Sequence, residues 1–468
     1  MKRTKINELH NHIDQTVKLS GWIDTRRDHG KLIFFDLRDD SGKLQVVTLP
    51  KPAELHELAD RLRSEWVVTV EGVVNKRPEK MVNADEPMGD IELELRSVEI
   101  LSESDTPPFD ISTDGFEVRE ELRMEYRYLD IRRDRLQRNI RRRSQVNSFI
   151  RGFLTERDFV EVETPILTRS TPEGARDYVV PSRVNTGSFY ALPQSPQQYK
   201  QLLMVGGIER YFQLARCMRD EDTRGDRQPE FTQLDMECAF TDTEEIMALM
   251  EDMYTKMVTK LYPKKTFTKT PWPRLTHKDC IKEFGSDRPD IRNDKDDPDE
   301  LGFAWVVDFP LFEKEKSDHG YFKPEHHMFT APKEDDIELL RSAPEKSLSK
   351  QIDLALNGYE VAGGSVRIHN ADMQTAIFDL IGFSEKQKKE FSHMLTAFRY
   401  GVPPHGGIAT GMDRLLAILE GESCIREVIA FPKTGEGRDL MMNTPSEVDK
   451  GQLEELGLEV RKGKKEDR

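Results

Sequence analysis

The chain has 468 residues, 36% hydrophobic and 33% charged, with a formal net charge of −16. That length exceeds one ordinary hydrophobic core and calls for two or three domains. No run approaches the roughly 20 apolar residues of a membrane span, and the acidic total argues against a surface that grips nucleic acid everywhere, although a local patch can overrule the sum. The start, MKRTKINELHNH, carries charge without an apolar stretch. The four cysteines (Cys217, Cys238, Cys280, Cys424) are far apart and form no C-x-x-C pair, so a cytoplasmic chain with reduced thiols is expected.

Residues 1–104 read as short strands: VKLSGWI, KLIFFDLRD, KLQVVTL, WVVTVEGVV and DIELELRSVEIL. One helical stretch, PAELHELADRLR, lies between the third and fourth, which predicts an OB-type barrel. Alternation turns Ile33, Phe35 and Leu37 inward and Phe34 outward; on the next strand Leu44 and Val46 look inward and Gln45 outward. An outward ring and an outward amide beside Arg26, Arg27 and Lys31 suit unpaired bases, because the ring stacks, the amide reads an edge and the cations hold phosphates. The plainer alternative is that Phe34 covers an apolar patch against a neighbouring domain.

The segment SESDTPPFD breaks the pattern, and 105–133 is expected to be a linker or hinge. Seven arginines then fall between Arg132 and Arg143, either a local positive field or a solvated helix face. A long helix from about Asp134 to Arg157 opens an α+β region that runs to about residue 455, and the charged tail 456–468 is expected to be disordered.

Four segments of that region carry chemistry. In RCMRDEDTRGDRQPEFTQLDME a strand ends at Arg219-Asp220-Glu221, a charged loop follows and a strand returns; such a hairpin can hold a nucleotide, with Arg219 on an α-phosphate. On the return strand Gln233, Asp235 and Glu237 share a face, which implies solvent or a ligand. In GYEVAGGSVRIH, Glu360 can bind Mg²⁺ with Asp353 as helper, and Arg367 offers a fork for a carboxylate. Gly363-Gly364 there permits close approach or marks a bulge. In GIATGMDRLLAIL a glycine-rich turn leads into a helix start with Arg414 in its first turn, suited to phosphate or an adenine. The pair His326-His327 has no third ligand at zinc spacing and by itself reads as structural.

These segments, with YRYLDIRR, VETPILTRSTPEGARDYVVPSR, FYALPQSPQQYKQLLM and REVIAFPK, resemble the bacterial type of aspartyl-tRNA synthetase, a class II aminoacyl-tRNA synthetase family, over almost the whole chain. The resemblance implies an N-terminal OB domain that reads the anticodon, with Arg27, His29, Phe34, Gln45 and Glu92 at the base contacts. It implies a catalytic domain built on an antiparallel sheet flanked by helices, and a homodimer joined through VETPIL with Pro165. ATP would lie on Arg219, Asp220, Glu221, Gln228, Glu360, Gly411, Met412, Asp413 and Arg414, with Mg²⁺ on Asp353 and Glu360. Aspartate would meet Glu173, Ser195, Gln197, Lys200, Arg219, Gln233, Asp235, His326, His327 and Arg367. The catalytic roles would fall to Arg219, Glu221 and Arg414, by positioning and charge neutralisation rather than by a nucleophile.

Two departures stand out. Bacterial relatives carry a large insertion between the segments SDRPDIRN and FAWVVDFP, where this chain has only DKDDPDE. His29 stands where relatives restricted to tRNA(Asp) often have leucine, so tRNA(Asn) is an expected second substrate. The competing readings are a strictly discriminating enzyme, an asparaginyl- or lysyl-tRNA synthetase, an inactive RNA-binding paralogue, and an amino-acid ligase that uses no tRNA.

Overall fold

Alternation in the first hundred residues folds into a closed five-stranded barrel. In the computed structural model, which describes residues 1–28, 32–170 and 174–461, the barrel strands are β1 (Thr16–Asp28), β2 (Ile33–Arg38), β3 (Lys43–Thr48), β4 (Val67–Lys76) and β5 (Ile91–Ser102). They close in the order β1-β2-β3-β5-β4, with helix α1 (Ala53–Arg61) between β3 and β4. Ile33, Phe35, Leu37, Leu44 and Val46 all face the interior, as their spacing predicts, and each is fully buried. Each such side chain contributes about 2 kcal/mol on removal from water. Expectations that fall on His29, Lys31 and Glu173, and on 462–468 of the tail, lie outside the described residues.

The chain divides into two compact units, 1–119 with 128–134, and 120–127 with 135 onward. The expected linker 105–133 is thus shared between them. It carries two short helices, Glu120–Glu125 and Arg127–Asp130.

The second unit is built on an eight-stranded sheet. Its elements in chain order are α2 (Asp134–Thr155), β6 (Val160–Glu161), α3 (Gln197–Val205), β7 (Arg210–Met218), β8 (Glu230–Ala239), α4 (Thr243–Leu261), β9 (Arg274–Thr276), β10 (Phe303–Val307), β11 (Gln351–Leu356), β12 (Tyr359–Val366), β13 (His405–Gly411) and α5 (Met412–Glu420). The order across the sheet is β9-β10-β11-β12-β13-β8-β7-β6, antiparallel except at the β9-β10 and β7-β6 edges. One face is apolar. Phe212, Leu234, Met236 and Ile408 pack there with Val146 and Ile150 of α2 and with Met247, Met250, Met253 and Met257, which repeat at helical spacing along α4.

Two expectations need correction. The segment GIATG is not a turn but the end of β13, which runs directly into α5. The arginine run is solvated only in part, at Arg138 and Arg141, and is not a free positive field. Arg133 is fully buried against Asp130 at 2.7 Å, Arg135 pairs with Glu422 and Glu427 at 2.6 and 2.9 Å, and Arg143 bonds Asp413. Acids about 280 residues downstream meet Arg135, Arg138, Arg142 and Arg143, a pairing no local pattern reveals.

Glu427 is the hub of that network. Arg123 reaches it at 2.8 Å and Arg135 at 2.9 Å. Burial pushes its carboxyl up, but the guanidinium groups outweigh burial and hold it at about 2 against a usual 4.5. A depressed carboxyl stabilises the fold above its unfolded pKa and loses that contribution as pH falls towards the folded one. Glu427→Gln should therefore lower the unfolding free energy by about 3 kcal/mol at neutral pH. In urea titrations the gap from the parent chain should close between pH 4.5 and 2. A pH-independent gap would contradict this assignment.

Candidate active site

The polar face of the sheet forms a trough, and small residues make its floor. Gln233, Asp235 and Glu237 of β8 face Gly411, Ala409 and Gly407 of β13. Gly363 and Ser365 of β12 continue the last two rows, followed by Asp353 and Gln351 of β11. One row therefore reads Asp235, Ala409, Gly363, Asp353, with the two acids three strands apart, about 14 Å. The glycines are required by close approach. A Cβ on Gly407 would lie 2.0 Å from Glu237 Oε2, and one on Gly364 would lie 2.3 Å from the Gly407 carbonyl. Gly363 instead looks onto Asp353 Oδ1 and Glu360 Oε1, at 3.0 and 3.5 Å from its own would-be Cβ. The bulge suspected at the glycine pair lies beside it, between Leu354 and Ala355, and it turns Glu360 to the side of Asp353.

At one end of the trough four buried charges interlock. Lys200 Nζ, from α3, is 2.7 Å from Asp235 Oδ1 and 3.2 Å from Glu237 Oε2. Arg367 donates to Glu237 from Nε at 3.1 Å, to Ser365 Oγ at 2.7 Å and to the Gly407 carbonyl at 3.3 Å. All four side chains are at least 95% buried. The polar face is thus not an exposed strand face. Burial pushes Glu237 up, but Arg367 and then Lys200 outweigh it and hold the carboxyl below its usual range. For Asp235 burial wins over Lys200, and its carboxyl stays raised. Asp235 Oδ2 and Gln197 Nε2 are buried without a hydrogen-bond partner. A buried acceptor that lacks a donor and a buried donor that lacks an acceptor fit a ligand carrying both an ammonium and an oxygen anion.

The two adjacent histidines are different species. His327 Nδ1 accepts the Phe329 N–H at 3.2 Å. Burial, with the charges of Arg367 and Lys200, holds its pKa well below the usual value, so it is neutral with its proton on Nε2. His326 Nε2 lies 3.2 Å from Asp353 Oδ2; desolvation pushes its pKa down, but that bond together with the charges of Asp353, Glu360 and Glu325 raises it.

The other end mixes cations and acids. Arg219 lies over the Phe231 ring at 5.1 Å. Asp220 and Glu221 line a cleft of about 1130 Å³ with Pro229, Lys433 and Gly435. Arg414 bonds the Glu360 carbonyl and meets Asp226 at 3.3 Å, while its Nε is buried without a partner. Desolvation and the like charge on Asp353 push the Glu360 carboxyl up. Three expected nucleotide residues behave otherwise. The Met412 side chain is in the apolar core, and the Asp413 carboxylate is taken up by Arg143 and the Thr232 N–H at 3.0 Å. Both ends of the Gln228 amide bond the backbone of Lys433, at 3.1 and 2.7 Å. Those side chains shape the site rather than face it.

Ser195 lines a separate small cavity of about 160 Å³ together with Gln194 and His393. In the barrel, Arg27, Phe34, Gln45 and Glu92 come together in one groove of about 470 Å³, joined by Asn75 and Arg77. Gln45 donates to Glu92 at 3.1 Å, and Arg27 is held on Asp36 at 2.9 Å. Sequence reasoning put Glu237 on the right face but gave it no role. Its bond to Arg367 spans 130 residues, and only the period-two pattern pointed to it.

A family model described as "tRNA synthetases class II (D, K and N)" matches residues 119–435, and one described as "OB-fold nucleic acid binding domain" matches 17–101. The chain belongs to the class II tRNA synthetases of the D, K and N group. Among curated relatives, the aspartate–tRNA(Asp/Asn) ligase of Rubrobacter xylanophilus is 42% identical over 96% of this chain and 95% of its own length. The aspartate–tRNA ligase of Staphylococcus carnosus is 38% identical over 96% and 97%. The first alignment runs over 573 positions against 468 residues here, so that synthetase has at least 105 positions without a counterpart in this chain, as the short DKDDPDE segment leads one to expect. The fold matches asparaginyl-tRNA synthetase from Pyrococcus horikoshii bound to asparaginyl-adenylate, with a TM-score of 0.75 at 24% identity over 93% of this chain and 98% of that one. It also matches aspartyl-tRNA synthetase from Entamoeba histolytica, with a TM-score of 0.73 at 22% identity over 92% and 91%.

The trough floor yields a direct test. Gly407→Ala should force Glu237 away from Arg367 and lower the unfolding free energy by about 3 kcal/mol, the cost of breaking a buried pair. Denaturant titration measures it, and an unshifted midpoint would show that the floor has room for a methyl group.

Proposed function

We propose that this chain is an aspartate–tRNA ligase that activates L-aspartate with ATP and passes the aspartyl group to the 3′ end of tRNA(Asp) and also of tRNA(Asn). The observation that carries the reading is the buried quartet of Lys200, Asp235, Glu237 and Arg367, at one end of a trough whose other end holds Asp353, Glu360 and Arg414. Asp235 Oδ2 takes the substrate ammonium, and the unpartnered Nε2–H of Gln197 donates to its α-carboxylate. Lys200, Arg367 and the Nε2–H of His327 take its side-chain carboxylate. Asparagine in that place turns an amide NH₂, which cannot accept, towards the buried donors of Lys200, Arg367 and His327, which disfavours it strongly.

The α-carboxylate oxygen of aspartate attacks the α-phosphorus, the bond to the bridging oxygen breaks, and pyrophosphate leaves with the electron pair. Arg219 neutralises the charge that grows on the α-phosphate, and Arg414 holds the nucleotide. The terminal ribose hydroxyl then attacks the aspartyl carbonyl and AMP departs. Asp353 and Glu360 fit a divalent cation, since two like charges converge beside Gly363 and raise the Glu360 carboxyl. Mg²⁺ held there supplies charge neutralisation for the phosphates.

Relatives named for both tRNAs, at 42% and 40% identity, support the wider tRNA range. In the barrel groove, half-buried Phe34 is the base-stacking ring and the Gln45–Glu92 pair reads base edges. Exposed Val160, Ile166 and Leu167 support a homodimer joined through VETPIL. No described helix is long and apolar enough to cross a membrane. The four free cysteines suit the cytoplasm.

Aspartate-dependent ATP–pyrophosphate exchange tests the enzyme. Arg219→Ala should slow it by about 10²- to 10³-fold with the fold unchanged, and normal exchange in that variant would remove Arg219 from the mechanism. Charging of purified tRNA(Asp) and tRNA(Asn) should agree within about tenfold in kcat/KM, a difference of about 1.4 kcal/mol; a preference for tRNA(Asp) of about a thousandfold would restrict the enzyme to that tRNA. Phe34→Ala should lower charging about tenfold or more, the loss of one stacked base, while exchange stays at the parent rate. Equal damage to both would make Phe34 merely structural.

A further inference from the structure

The polar face of the two strands that carry the site holds a buried thiol that the mechanism above does not use. In the β7–β8 ladder Gln233 is opposite Ala215 and Phe231 is opposite Cys217, so Cys217 and Gln233 are diagonal neighbours on the same face. The Cys217 sulfur is fully buried, and it lies 3.3 Å from Gln233 Oε1. Gln233 Oε1 is nearer to the thiol than its other acceptor, the Ala215 carbonyl at 3.9 Å, and the thiol must donate because an amide oxygen can only accept. Burial raises the thiol pKa to about 12 despite nearby Arg219, so the S–H is kept as a donor across the physiological range. With its oxygen occupied, Gln233 presents its NH₂ end elsewhere. Asp235 Oδ2, on the same face of β8, and Gln197 Nε2, on α3, both on side chains more than nine-tenths buried, lack partners.

We infer that Cys217 is a positioning residue for aspartate activation: its thiol fixes the flip state of the Gln233 amide so that the NH₂ end, together with Gln197, donates to the α-carboxylate of the bound amino acid. A flipped amide would present an oxygen to that carboxylate and repel it. The inference rests on the aspartate reading above and adds to it a residue that touches no substrate.

The test is ATP–pyrophosphate exchange by the full chain, with KM measured separately for aspartate and ATP. Cys217→Ala should raise the KM for aspartate about fivefold, the worth of one modest hydrogen bond, and leave the KM for ATP within about twofold. Cys217→Ser, which restores a donor at the same place, should recover the aspartate KM to within about twofold of the parent. In a Gln233→Ala background the Cys217→Ala change should have no further effect on it. A role in packing alone would move both KM values together, would not be rescued by serine, and would persist without Gln233. Any of those results, or an unchanged aspartate KM in Cys217→Ala, overturns the inference alone. A parent chain that shows no aspartate-dependent exchange overturns the function reading and the inference with it.

Discussion

Two cations and two anions buried within hydrogen-bonding distance of one another set the terms for the rest of the catalytic unit. Taking any one of them out of water is costly, and the arrangement survives only because each charge is met by an opposite one. Glu237 is central, since it touches both Lys200 and Arg367 and is the more strongly acidic of the two carboxylates. Asp235 is left with one oxygen unmatched, so a cationic group completes it. In the function proposed above, the quartet serves as a preformed recognition surface for a small zwitterion with an extra carboxylate. Its rigidity removes the reorganisation that would otherwise oppose binding.

The sheet makes the quartet possible by leaving room above it. Gly407, Ala409 and Gly411 on β13 face the three polar residues of β8, and any larger side chain at Gly407 would collide with Glu237. The opposite face of the same strands is apolar, and the methionine ridge of α4 packs under it, with Tyr254 bonded to Thr410 at 2.7 Å. One ladder thus separates a dry core from a charged trough by alternation alone. The bulge before Ala355 then brings Glu360 to Asp353 and gives the far end of the trough its anionic pair.

Much of this was legible in the sequence where the governing pattern is local. The barrel could be read from strand alternation, down to the inward Phe35 and the outward Phe34, because a half-buried strand declares its two faces. The shared face of Gln233, Asp235 and Glu237 was legible for the same reason. Its burial was not, because that depends on the register between β8 and a strand about 170 residues later. The glycines of GIATG suggested a turn, whereas they serve close strand approach. The arginine run suggested an exposed field, whereas its partners, Glu420, Glu422 and Glu427, are far downstream. The family resemblance placed Met412 and Asp413 in the nucleotide site with Arg414, but a helix that begins at the core edge turns adjacent side chains in different directions. Cys217 carried no sequence signal beyond being a lone reduced thiol.

The central claim is that the buried cations select a carboxylate side chain. The most direct measurement is the kcat/KM of ATP–pyrophosphate exchange with aspartate and with asparagine, in the parent chain and in Lys200→Met, which keeps the stem and removes the charge. The account predicts that the parent favours aspartate by about 10⁴-fold, the level reached when a mismatch leaves buried polar groups unpaired. It predicts that Lys200→Met loses most of that preference through a fall in aspartate use. A variant that keeps the parent ratio would show that selection lies elsewhere and would contradict the account.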